Sequence, residues 1–358
     1  MKEYKHEYED SEKYVNHNAL LSHDADISLS QSIRNLGKSY DGMRLIKKNM
    51  DNGFNGCWER WDKTELGIAK NEVLEFLQKD SDVGLYTSFK IKDSTASYIV
   101  NNDTGGKVYF FAVKLAASYK GLDIPALRWE IYDEYIPEFY DIRTRRDIEF
   151  DKFMSLHTTL KRENKKFRSL LMCNCIDWFT GYTKTWKITP FNAGLIRVYD
   201  NKISVEYNGE TIEGTSKIAF ENVKPSIAML QRTISNESLR GDSETAQKYY
   251  NNVIKKMYTL IDVCPDSQIP LQAIQFRRGD TYYSYRIYEG IYYVCKCGYR
   301  NSYPTDVFCY EGMRPGELRR TSLGSQLEQL INAGCMRFDS GYTYNDFIQG
   351  IWEYRKRI

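Results

Sequence analysis

The stretch Ser32-Ile33-Arg34-Asn35-Leu36-Gly37-Lys38-Ser39-Tyr40 decides the fold class predicted for this chain of 358 residues. Its second half is typical of a phosphate-binding loop at a helix start, where backbone N–H groups hold phosphate. In such loops a lysine reaches the terminal phosphates and a serine hydroxyl holds Mg²⁺, the roles expected of Lys38 and Ser39. The full pattern has glycine at both ends, and Ser32 stands in the first glycine position. On this stretch alone, a plain strand-to-helix turn at Gly37 remains the alternative.

A second motif, Arg128-Trp129-Glu130-Ile131-Tyr132-Asp133-Glu134, favours the nucleotide interpretation. It is a β-rich run that ends in two acids, and P-loop ATPases place their catalytic carboxylates at the carboxyl end of such a strand. Asp133 is expected to hold Mg²⁺ through water, and Glu134 to orient or activate the attacking water. A solvated strand end is the alternative for this pair.

Composition excludes some partners and permits others. Lys and Arg number 50 against 48 Asp and Glu, a net charge of +2, so contact with nucleic acid has to be local. No run approaches the roughly 18 apolar residues of a membrane span, and the N-terminus does not resemble a signal peptide. We therefore expect a soluble, intracellular chain whose eight cysteines are reduced. The pairs Cys173/Cys175 and Cys295/Cys297 suit buried strand thiols better than a structural zinc site.

The hydrophobic pattern predicts an α/β fold with a mostly parallel sheet, because helices alternate with strands through the first half. The predicted domains are a P-loop ATPase domain at 1–180, a β-rich extension and linker at 181–250, and a smaller α+β domain at 251–358. The main predicted strands are Ala25–Ser30, Phe54–Trp61, Val83–Ile91, Ala96–Val100, Lys107–Leu115, Leu127–Tyr132, Arg168–Cys173, Ile196–Tyr207, Glu210–Ile212, Ser216–Phe220 and two or three within Ile274–Cys297. The main predicted helices are Lys38–Met50, Thr64–Lys79, Asp147–Leu160, Gln247–Val263 and Thr343–Arg357.

Four segments together resemble the DNA-packaging (encapsidation) ATPases of small podophages with protein-primed linear genomes, the Salasmaviridae type. Arg34–Tyr40 is similar to that family's Arg-Gly-Ile-Gly-Lys-Ser-Tyr, and Ile131–Ile136 to its Val-Phe-Asp-Glu-Phe-Ile. The segment Asn16–Asp24 is similar to its Asn-Pro-Gln-…-Leu-Ser-Tyr-Asp, and Ala333–Asp339 to its Asn-Gly-Tyr-Leu-Arg-Phe-Asp. The four segments fall in the same order with comparable spacing.

The resemblance implies an additional-strand, catalytic-glutamate P-loop ATPase that uses ATP and Mg²⁺. It implies a motor that moves double-stranded DNA into a procapsid, working as a homo-oligomeric ring, expected to be pentameric, on the portal. A scaffold RNA is a further partner left open, no membrane is expected, and the location is the host cytoplasm with transient docking on the procapsid. Through the family, the C-terminal domain resembles a vestigial RNase H-like nuclease fold that has lost its metal-binding acids.

The resemblance also suggests roles for single residues. An arginine finger that acts on the neighbouring subunit falls in the basic cluster after the third major helix. Arg162 is preferred because a planar guanidinium suits the γ-phosphate, with Lys161 and Arg146 as alternatives. Asn18 is expected to read adenine. Asn174, which follows a buried strand, is either a γ-phosphate sensor or a turn residue.

Other charged residues have less specific interpretations. The basic cluster as a whole fits a solvated face, a DNA track or a finger that enters the neighbour's site; its members are Lys161, Arg162, Lys165, Lys166 and Arg168. Arg60 and Lys63 fit DNA contact, coupling of hydrolysis to motion, or plain solvation. In the C-terminal domain no acid dyad emerges from Asp280, Glu289, Asp306 and Asp339. Phosphate contacts there are expected from Arg277, Arg278, Arg286, Arg319 and Arg320.

Two departures from the family pattern leave other functions open. Ser32 and Asn35 replace loop glycines, so we expect a tighter approach of the backbone to phosphate or weaker binding. The remaining alternatives are another P-loop enzyme, such as a helicase or nucleotide kinase, and a non-catalytic DNA-binding scaffold with a decayed loop.

Overall fold

A computed structural model shows two compact units along the chain. The first comprises Met1–Cys175, Thr180–Tyr182 and Gly194–Asn236, and the second comprises Ile176–Phe179, Thr183–Ala193 and Glu237–Ile358. The structure describes residues 1–79, 81–91, 94, 96–122, 124–135, 148–162, 164–174, 180–207, 210–237, 263–268, 275–278, 281–297, 307–309, 330, 335–341, 343–344 and 346–347.

The described residues of the first unit form one ten-stranded sheet. Its strands in chain order are β1 (Lys2–Lys5), β2 (Ile27–Gln31), β3 (Gly56–Arg60), β4 (Tyr86–Lys90), β5 (Ser97–Asn101), β6 (Lys107–Ala112), β7 (Trp129–Asp133), β8 (Arg168–Cys173), β9 (Leu195–Tyr207) and β10 (Glu210–Asn222). Across the sheet the order is β1-β9-β10-β2-β8-β7-β3-β6-β5-β4.

The centre of this sheet is parallel, as the sequence predicts. Strands β10, β2, β8, β7, β3 and β6 pair in parallel, and antiparallel strands extend the sheet at both edges. Strand β8 lies between β2, which leads into the loop, and β7, which ends in Asp133. The loop, the acid pair and Asn174 therefore meet at the carboxyl ends of these parallel strands.

The helices of the first unit cover the sheet. They are α1 (Asn18–Leu21), α2 (Lys38–Asp51), α3 (Lys63–Lys79), α4 (Glu149–Lys161) and α6 (Ile227–Glu237). A 3₁₀ segment covers Val113–Tyr119, and the short helix α5 (Gly181–Thr185) stands where the chain leaves this unit. Helix α3 begins where it does because the Asp62 carboxylate accepts the N–H groups of Thr64 and Glu65 at 2.8 and 3.0 Å.

Helix α2 packs closely on the strands that carry the site. A Cβ on Gly42 would lie 2.9 Å from Met172 Cε and 3.3 Å from the Trp58 ring, so glycine lets the helix approach this far without displacing these side chains. Trp58, Ile131 and Met172 are fully or almost fully buried beneath it. This packing fixes the start of α2, and with it Lys38 and Ser39, against β7 and β8.

The described part of the second unit contains a five-stranded sheet, which fits the smaller α+β domain predicted for the C-terminal region. Its order is β14-β11-β12-β13-β15, built from β11 (Gln275–Arg278), β12 (Thr281–Tyr288), β13 (Ile291–Cys297), β14 (Val307–Cys309) and β15 (Met336–Phe338). The predicted helix Gln247–Val263 and most of Thr343–Arg357 lie outside the described residues.

Three local predictions differ from the structure. The predicted strand Lys107–Leu115 ends at Ala112, and the apolar residues beyond it continue as the 3₁₀ segment. The two short strands predicted at Glu210–Ile212 and Ser216–Phe220 are one strand, β10, because Gly214 pairs in register with Ile203. Strand β10 pairs with β2 and β9 pairs with β10 in the large sheet, so the first unit reaches beyond residue 180.

Candidate nucleotide-binding site

Lys38 begins helix α2 and is held inside the loop. Its Nζ donates to Ser32 Oγ at 2.5 Å, to the Ile33 carbonyl at 3.1 Å and to Asn174 Oδ1 at 2.8 Å. The residue is 5% exposed, and burial lowers its pKa to about 8. Three oxygen atoms therefore satisfy the buried ammonium group of Lys38.

Ser39 and Asp133 place a hydroxyl and a carboxylate next to each other at the start of α2. Ser39 Oγ donates to Asp133 Oδ1 at 3.0 Å, and Asp133 is almost fully buried at the end of β7. Burial raises the pKa of Asp133, and the positive charge of Arg60 opposes that rise. A hydroxyl and a carboxylate oxygen side by side at the loop fit Mg²⁺, whose preferred ligands are oxygens.

Arg60, at the end of β3, binds both acids of the pair. Its Nη2 donates to Asp133 Oδ2 at 2.6 Å and its Nη1 donates to Glu134 Oε2 at 2.5 Å. Asn174 Nδ2 lies 3.4 Å from Glu134 Oε1, so Asn174 contacts both Glu134 and Lys38. Lys38, Ser39, Asp133, Glu134 and Asn174, all predicted from the sequence, thus form one connected cluster.

The backbone of the loop adopts left-handed conformations at two positions. Asn35 has φ +61° and Gly37 has φ +91°. Asparagine tolerates this conformation better than most residues, so Asn35 serves in place of a glycine. Ser32 differs from glycine in another way, because its hydroxyl accepts the bond from Lys38. A Cβ on Gly37 would come within 2.8 Å of Tyr14 Cδ1, so this position requires glycine twice over.

Two other segments pack over the loop. The Val15 N–H donates to the Leu36 carbonyl at 2.8 Å, which ties the N-terminal segment to the loop. From α6, the Arg232 guanidinium stacks over the Tyr14 ring at 4.5 Å and donates to the carbonyls of Asn35 and Lys13. These contacts tie the loop to the N-terminal segment and to α6.

The start of α2 also anchors the chain before α1. His17 binds Asp41 through its backbone N–H, at 2.9 Å, and through Nδ1, at 2.8 Å. Tyr40 is 46% exposed and stacks on Tyr14 at 5.7 Å. Asn18 is exposed as the first residue of α1, and no hydrogen bond of its side chain occurs within the described residues. Its adenine-reading role stays a prediction.

The predicted arginine finger, Arg162, and the loop of the same chain lie at opposite ends of the central strands. Arg162 follows α4 six residues before β8 begins, whereas the loop follows the end of β2. Strands β2 and β8 are parallel, so the loop lies at their carboxyl ends and Arg162 lies towards their amino ends. Arg162 is exposed, has φ +44°, and donates from Nη2 to the Leu122 carbonyl at 3.0 Å.

The neighbouring basic residues differ in their availability. Lys161 Nζ lies 3.6 Å from Asp26 and Arg168 Nε lies 2.9 Å from Asp24, whereas Lys165 and Lys166 are exposed. Lys63 is exposed at the start of α3. Arg146 lies outside the described residues.

Few of the charged residues predicted to matter in the second unit are described. Glu289 is exposed at the turn between β12 and β13, and Asp339 Oδ2 accepts the Lys296 N–H at 3.1 Å. Arg286 is half-buried on β12. Asp280, Asp306, Arg319 and Arg320 lie outside the described residues, as do the side chains of Arg277 and Arg278. The nuclease resemblance therefore stays a prediction.

Two features of the site are not evident from the sequence. Local patterns indicate three alternative roles for Arg60, none of them a bond to both acids, because nothing local to residue 60 reveals a partner 74 positions away. No local pattern indicates Tyr14 or Arg232, which reach the loop from distant segments. The close approach of Tyr14 to Gly37 leaves no sequence signal other than the glycine itself.

The loop, the acid pair and the position of β8 between β2 and β7 together form the arrangement expected of a P-loop nucleotide site. No family model and no curated protein matches this chain. Among solved structures, it is similar to the viral genome packaging motor assembly of bacteriophage phi-29. The two are 15% identical, 97% of this chain and 99% of that chain are covered, and the TM-score is 0.49.

Two further solved structures are similar over part of the chain. The N-terminal domain of the phi29 DNA packaging ATPase is 20% identical over 60% of this chain and 97% of that chain, with a TM-score of 0.44. The large terminase of a thermophilic bacteriophage in complex with ADP is 11% identical over 86% of this chain and 68% of that chain, with a TM-score of 0.37. None of the three TM-scores reaches 0.5, so function has to be inferred from the site itself.

No helix among the described residues combines the length and apolar character that crossing a membrane requires.

Proposed function

We propose that this chain hydrolyses ATP with Mg²⁺ to drive double-stranded DNA into a procapsid. The observation that carries the ATPase part is the contact of 3.0 Å between Ser39 Oγ and Asp133 Oδ1, beside a buried Lys38 and followed in the chain by Glu134. Burying a charged lysine costs free energy. A loop that no longer bound phosphate would therefore not be expected to keep Lys38 buried among three oxygens. A turn that served only the backbone would not need the acids of β7.

Each residue of the cluster has a defined part in hydrolysis. Lys38 would exchange its bonds to Ser32, Ile33 and Asn174 for bonds to the β- and γ-phosphates. Ser39 directly and Asp133 through water would hold Mg²⁺, which when bound neutralises charge on the phosphates. Glu134 would take the proton of the attacking water once its carboxylate is free of Arg60. Asn174, within reach of both Lys38 and Glu134, would sense the γ-phosphate.

The charge that develops on the γ-phosphate in the transition state calls for a further cation. Arg60 is bound to Asp133 and Glu134, and Arg162 lies at the opposite end of the central strands from the loop. We propose that Arg162 completes the site of a neighbouring subunit, which requires a closed homo-oligomer. Lys161 and Arg146 remain the alternatives for this role.

The DNA-translocating part of the proposal rests on the four sequence segments that resemble podophage packaging ATPases. It includes a pentameric ring, docking on the portal, an optional scaffold RNA, and action in the host cytoplasm. The similar solved structures include a viral genome packaging motor assembly and a DNA packaging ATPase. The exposed Lys165 and Lys166 are candidates for DNA contact.

A mixing experiment tests both the ATPase and the ring. Lys38→Ala removes the phosphate partner and Arg162→Ala removes the finger, so each variant alone should be inactive with and without DNA. Mixed, they should recover part of the activity, because some interfaces pair an intact pocket with an intact finger. Losing the finger should cost about 10³-fold or more in rate. Lys48→Ala, an exposed position on α2, serves as the control for each single variant.

Three outcomes would contradict the proposal in different ways. Near-normal ATP affinity in Lys38→Ala would mean that the loop is not a phosphate site. A dead mixture whose variants still assemble would move the finger to Lys161 or Arg146. ATP hydrolysis that ignores double-stranded DNA under all conditions would favour another P-loop enzyme.

A further inference from the structure

A second cluster of ionisable groups lies on the same central strands but under helix α4. Cys57 and Glu59 come from β3, Glu130 from β7, Ser169 from β8 and His157 from α4. The strand residues are 0% exposed and His157 is 4% exposed. Cys57, Glu130 and Ser169 occupy one register row across the three strands. Neither nucleotide binding nor hydrolysis, as described above, uses any of these five groups.

The hydrogen bonds of the cluster leave two carboxyl oxygens without a donor. Glu130 Oε2 accepts from His157 Nδ1 at 2.7 Å and from Ser169 Oγ at 2.5 Å. Glu59 Oε1 has the Cys57 thiol at 3.9 Å. Glu130 Oε1 and Glu59 Oε2 have no donor within the described residues, although the two carboxyl groups lie close to each other.

Two negative charges cannot lie this close here without compensation. Removing a carboxylate from water costs several kcal/mol, and a second carboxylate beside it adds repulsion. His157 is the basic side chain in contact with the pair, and it can balance Glu130 only. A proton on Glu59 Oε2 resolves the remaining repulsion between the two acids, because it removes one charge and supplies the donor that Glu130 Oε1 lacks.

We propose that Glu59 is a neutral carboxylic acid that donates a hydrogen bond to Glu130, and that this bond positions the catalytic end of β7. The proposal deepens the ATPase function proposed above and rests on it. Glu59 directly precedes Arg60, which holds Asp133 and Glu134. Strands β3 and β7 are thus tied on one face by the acid pair and on the other by Arg60. Loss of the proton would push the two strands apart under α4 and displace Arg60 from the catalytic acids.

The titration behaviour expected of the cluster agrees with this arrangement. Burial, and then the charge of Glu130, raise the pKa of Glu59 well above its ordinary value. Burial and both acids raise the pKa of the Cys57 thiol, so it stays protonated. The other ionisable groups on this face, among the described residues, include His157, Tyr109, which pairs in register with Cys57, and Tyr132 and Glu149, which bond to each other at 2.5 Å. A group with a raised pKa stabilises the fold at low pH, and this contribution is lost as pH rises through the raised value.

The first test measures unfolding by denaturant in the full chain, without nucleotide, from pH 5 to pH 9. Glu59→Gln keeps a neutral donor, so its folding equilibrium constant relative to wild type should increase by up to tenfold per pH unit above about pH 5. Glu221→Gln is the matched control. Glu221 is equally buried but accepts bonds from His6 and Tyr8, so the amide should destabilise the fold. A ratio for Glu59→Gln that does not change with pH would overturn the neutral acid.

A metal ion is the competing explanation. One ligand atom each from Cys57, Glu59 and Glu130 lies within 4.8 Å of the others, a spacing open to a buried cation. Elemental analysis of wild-type protein purified without chelators decides between the two. We expect no stoichiometric metal. One equivalent of metal that is absent from Glu59→Gln, together with a loss of stability in that variant, would overturn the proposal.

The second test addresses the positioning role through ATP hydrolysis. Glu59→Ala should lower kcat at least about tenfold with little change in KM, because the phosphate loop is untouched. Glu59→Gln should retain kcat and should lack the decline that wild type shows as pH rises. Coincident pH profiles for wild type and Glu59→Gln would overturn the positioning role. If wild type does not hydrolyse ATP at all, the ATPase proposal fails, while the unfolding experiment still decides the state of Glu59.

Discussion

Arg60 and Glu134 form a bond of 2.5 Å between guanidinium Nη1 and carboxylate Oε2, although 74 positions separate them in the chain. The same guanidinium binds Asp133 at 2.6 Å. The acid expected to activate water is therefore occupied by an arginine in this structure. The hydrolysis proposed above requires Glu134 to exchange this partner for water, so the release of Glu134 is a step that can be probed.

Replacing Arg60 should destabilise the protein and make its stability depend on magnesium nucleotide. Arg60→Ala leaves Asp133, which is 2% exposed, beside Glu134 without its cation. Breaking a buried ion pair in this way costs about 3 kcal/mol. Mg²⁺ with nucleotide should restore part of this loss, because it supplies positive charge to Asp133. Thermal unfolding with and without Mg·ADP measures both effects.

Arg168→Ala provides the comparison for Arg60→Ala. Its partner Asp24 is largely exposed, so its loss should cost no more than about 1 kcal/mol and should not respond to nucleotide. Arg60→Lys keeps the charge but offers no planar pair of donors, so it should fall between wild type and Arg60→Ala. Equal stability of wild type and Arg60→Ala at all nucleotide concentrations would contradict the importance of the bond.

Glu134→Gln should separate binding from turnover. The amide keeps the shape of the side chain, and Lys38, Ser39 and Asp133 are untouched, so ATP should bind nearly as in wild type. Turnover should fall by about 10²-fold or more, because the attacking water loses its base. Isothermal titration gives the affinity and phosphate release gives the rate. Wild-type turnover in this variant would transfer the role of base to another residue.

ATP affinity should weaken above neutral pH. Burial lowers the pKa of Lys38 to about 8, and phosphate binding favours its charged form. Binding then takes up a proton at high pH, so affinity should fall by up to tenfold per pH unit above about pH 8. Titrations from pH 6.5 to pH 9.5 at constant ionic strength test this. An affinity of the wild type that stays constant to pH 9.5 would contradict this prediction.

Arg232→Ala should loosen the loop without removing any phosphate ligand. The variant loses the stacking on Tyr14 and the bond to the Asn35 carbonyl, together worth about 1 kcal/mol, so the Kd for ATP should rise about fivefold. Nucleotide titration measures this. Arg44→Ala, an exposed arginine on α2, is the control. An unchanged Kd would mean that the loop keeps its shape without α6.

The sequence predicts the site where short motifs carry it. Lys38, Ser39, Asp133 and Glu134 belong to local patterns, and Asn174 follows from the end of a buried strand. The sequence predicts the strands and helices of the central, parallel part of the large sheet well, because each strand there is a short apolar run between turns. Strand β8 lies between β2 and β7, as expected for the additional-strand P-loop ATPases that the resemblance implies.

What the sequence does not predict depends on contacts across the fold. The bond from Arg60 to the acid pair needs the pairing of β3 with β7, which no local pattern encodes. The same pairing brings Glu59 to Glu130, and a glutamate in an apolar strand otherwise suggests a solvated edge. The continuity of β10 through Gly214 is set by its partner β9, because a paired strand tolerates a glycine that would suggest a turn by itself.

Three of the six non-glycine residues with positive φ in the described part of the chain are Asn35, Glu134 and Arg162. A side chain in this conformation costs about 1 kcal/mol relative to glycine. Selection for heat tolerance alone would therefore favour Asn35→Gly, Glu134→Gly and Arg162→Gly. The last two changes remove the proposed base and the proposed finger. Thermal stability and turnover thus make opposing demands at Glu134 and Arg162, whereas Asn35, like Asp24, Lys187 and Glu289, could become glycine without loss of a group used in the proposed hydrolysis.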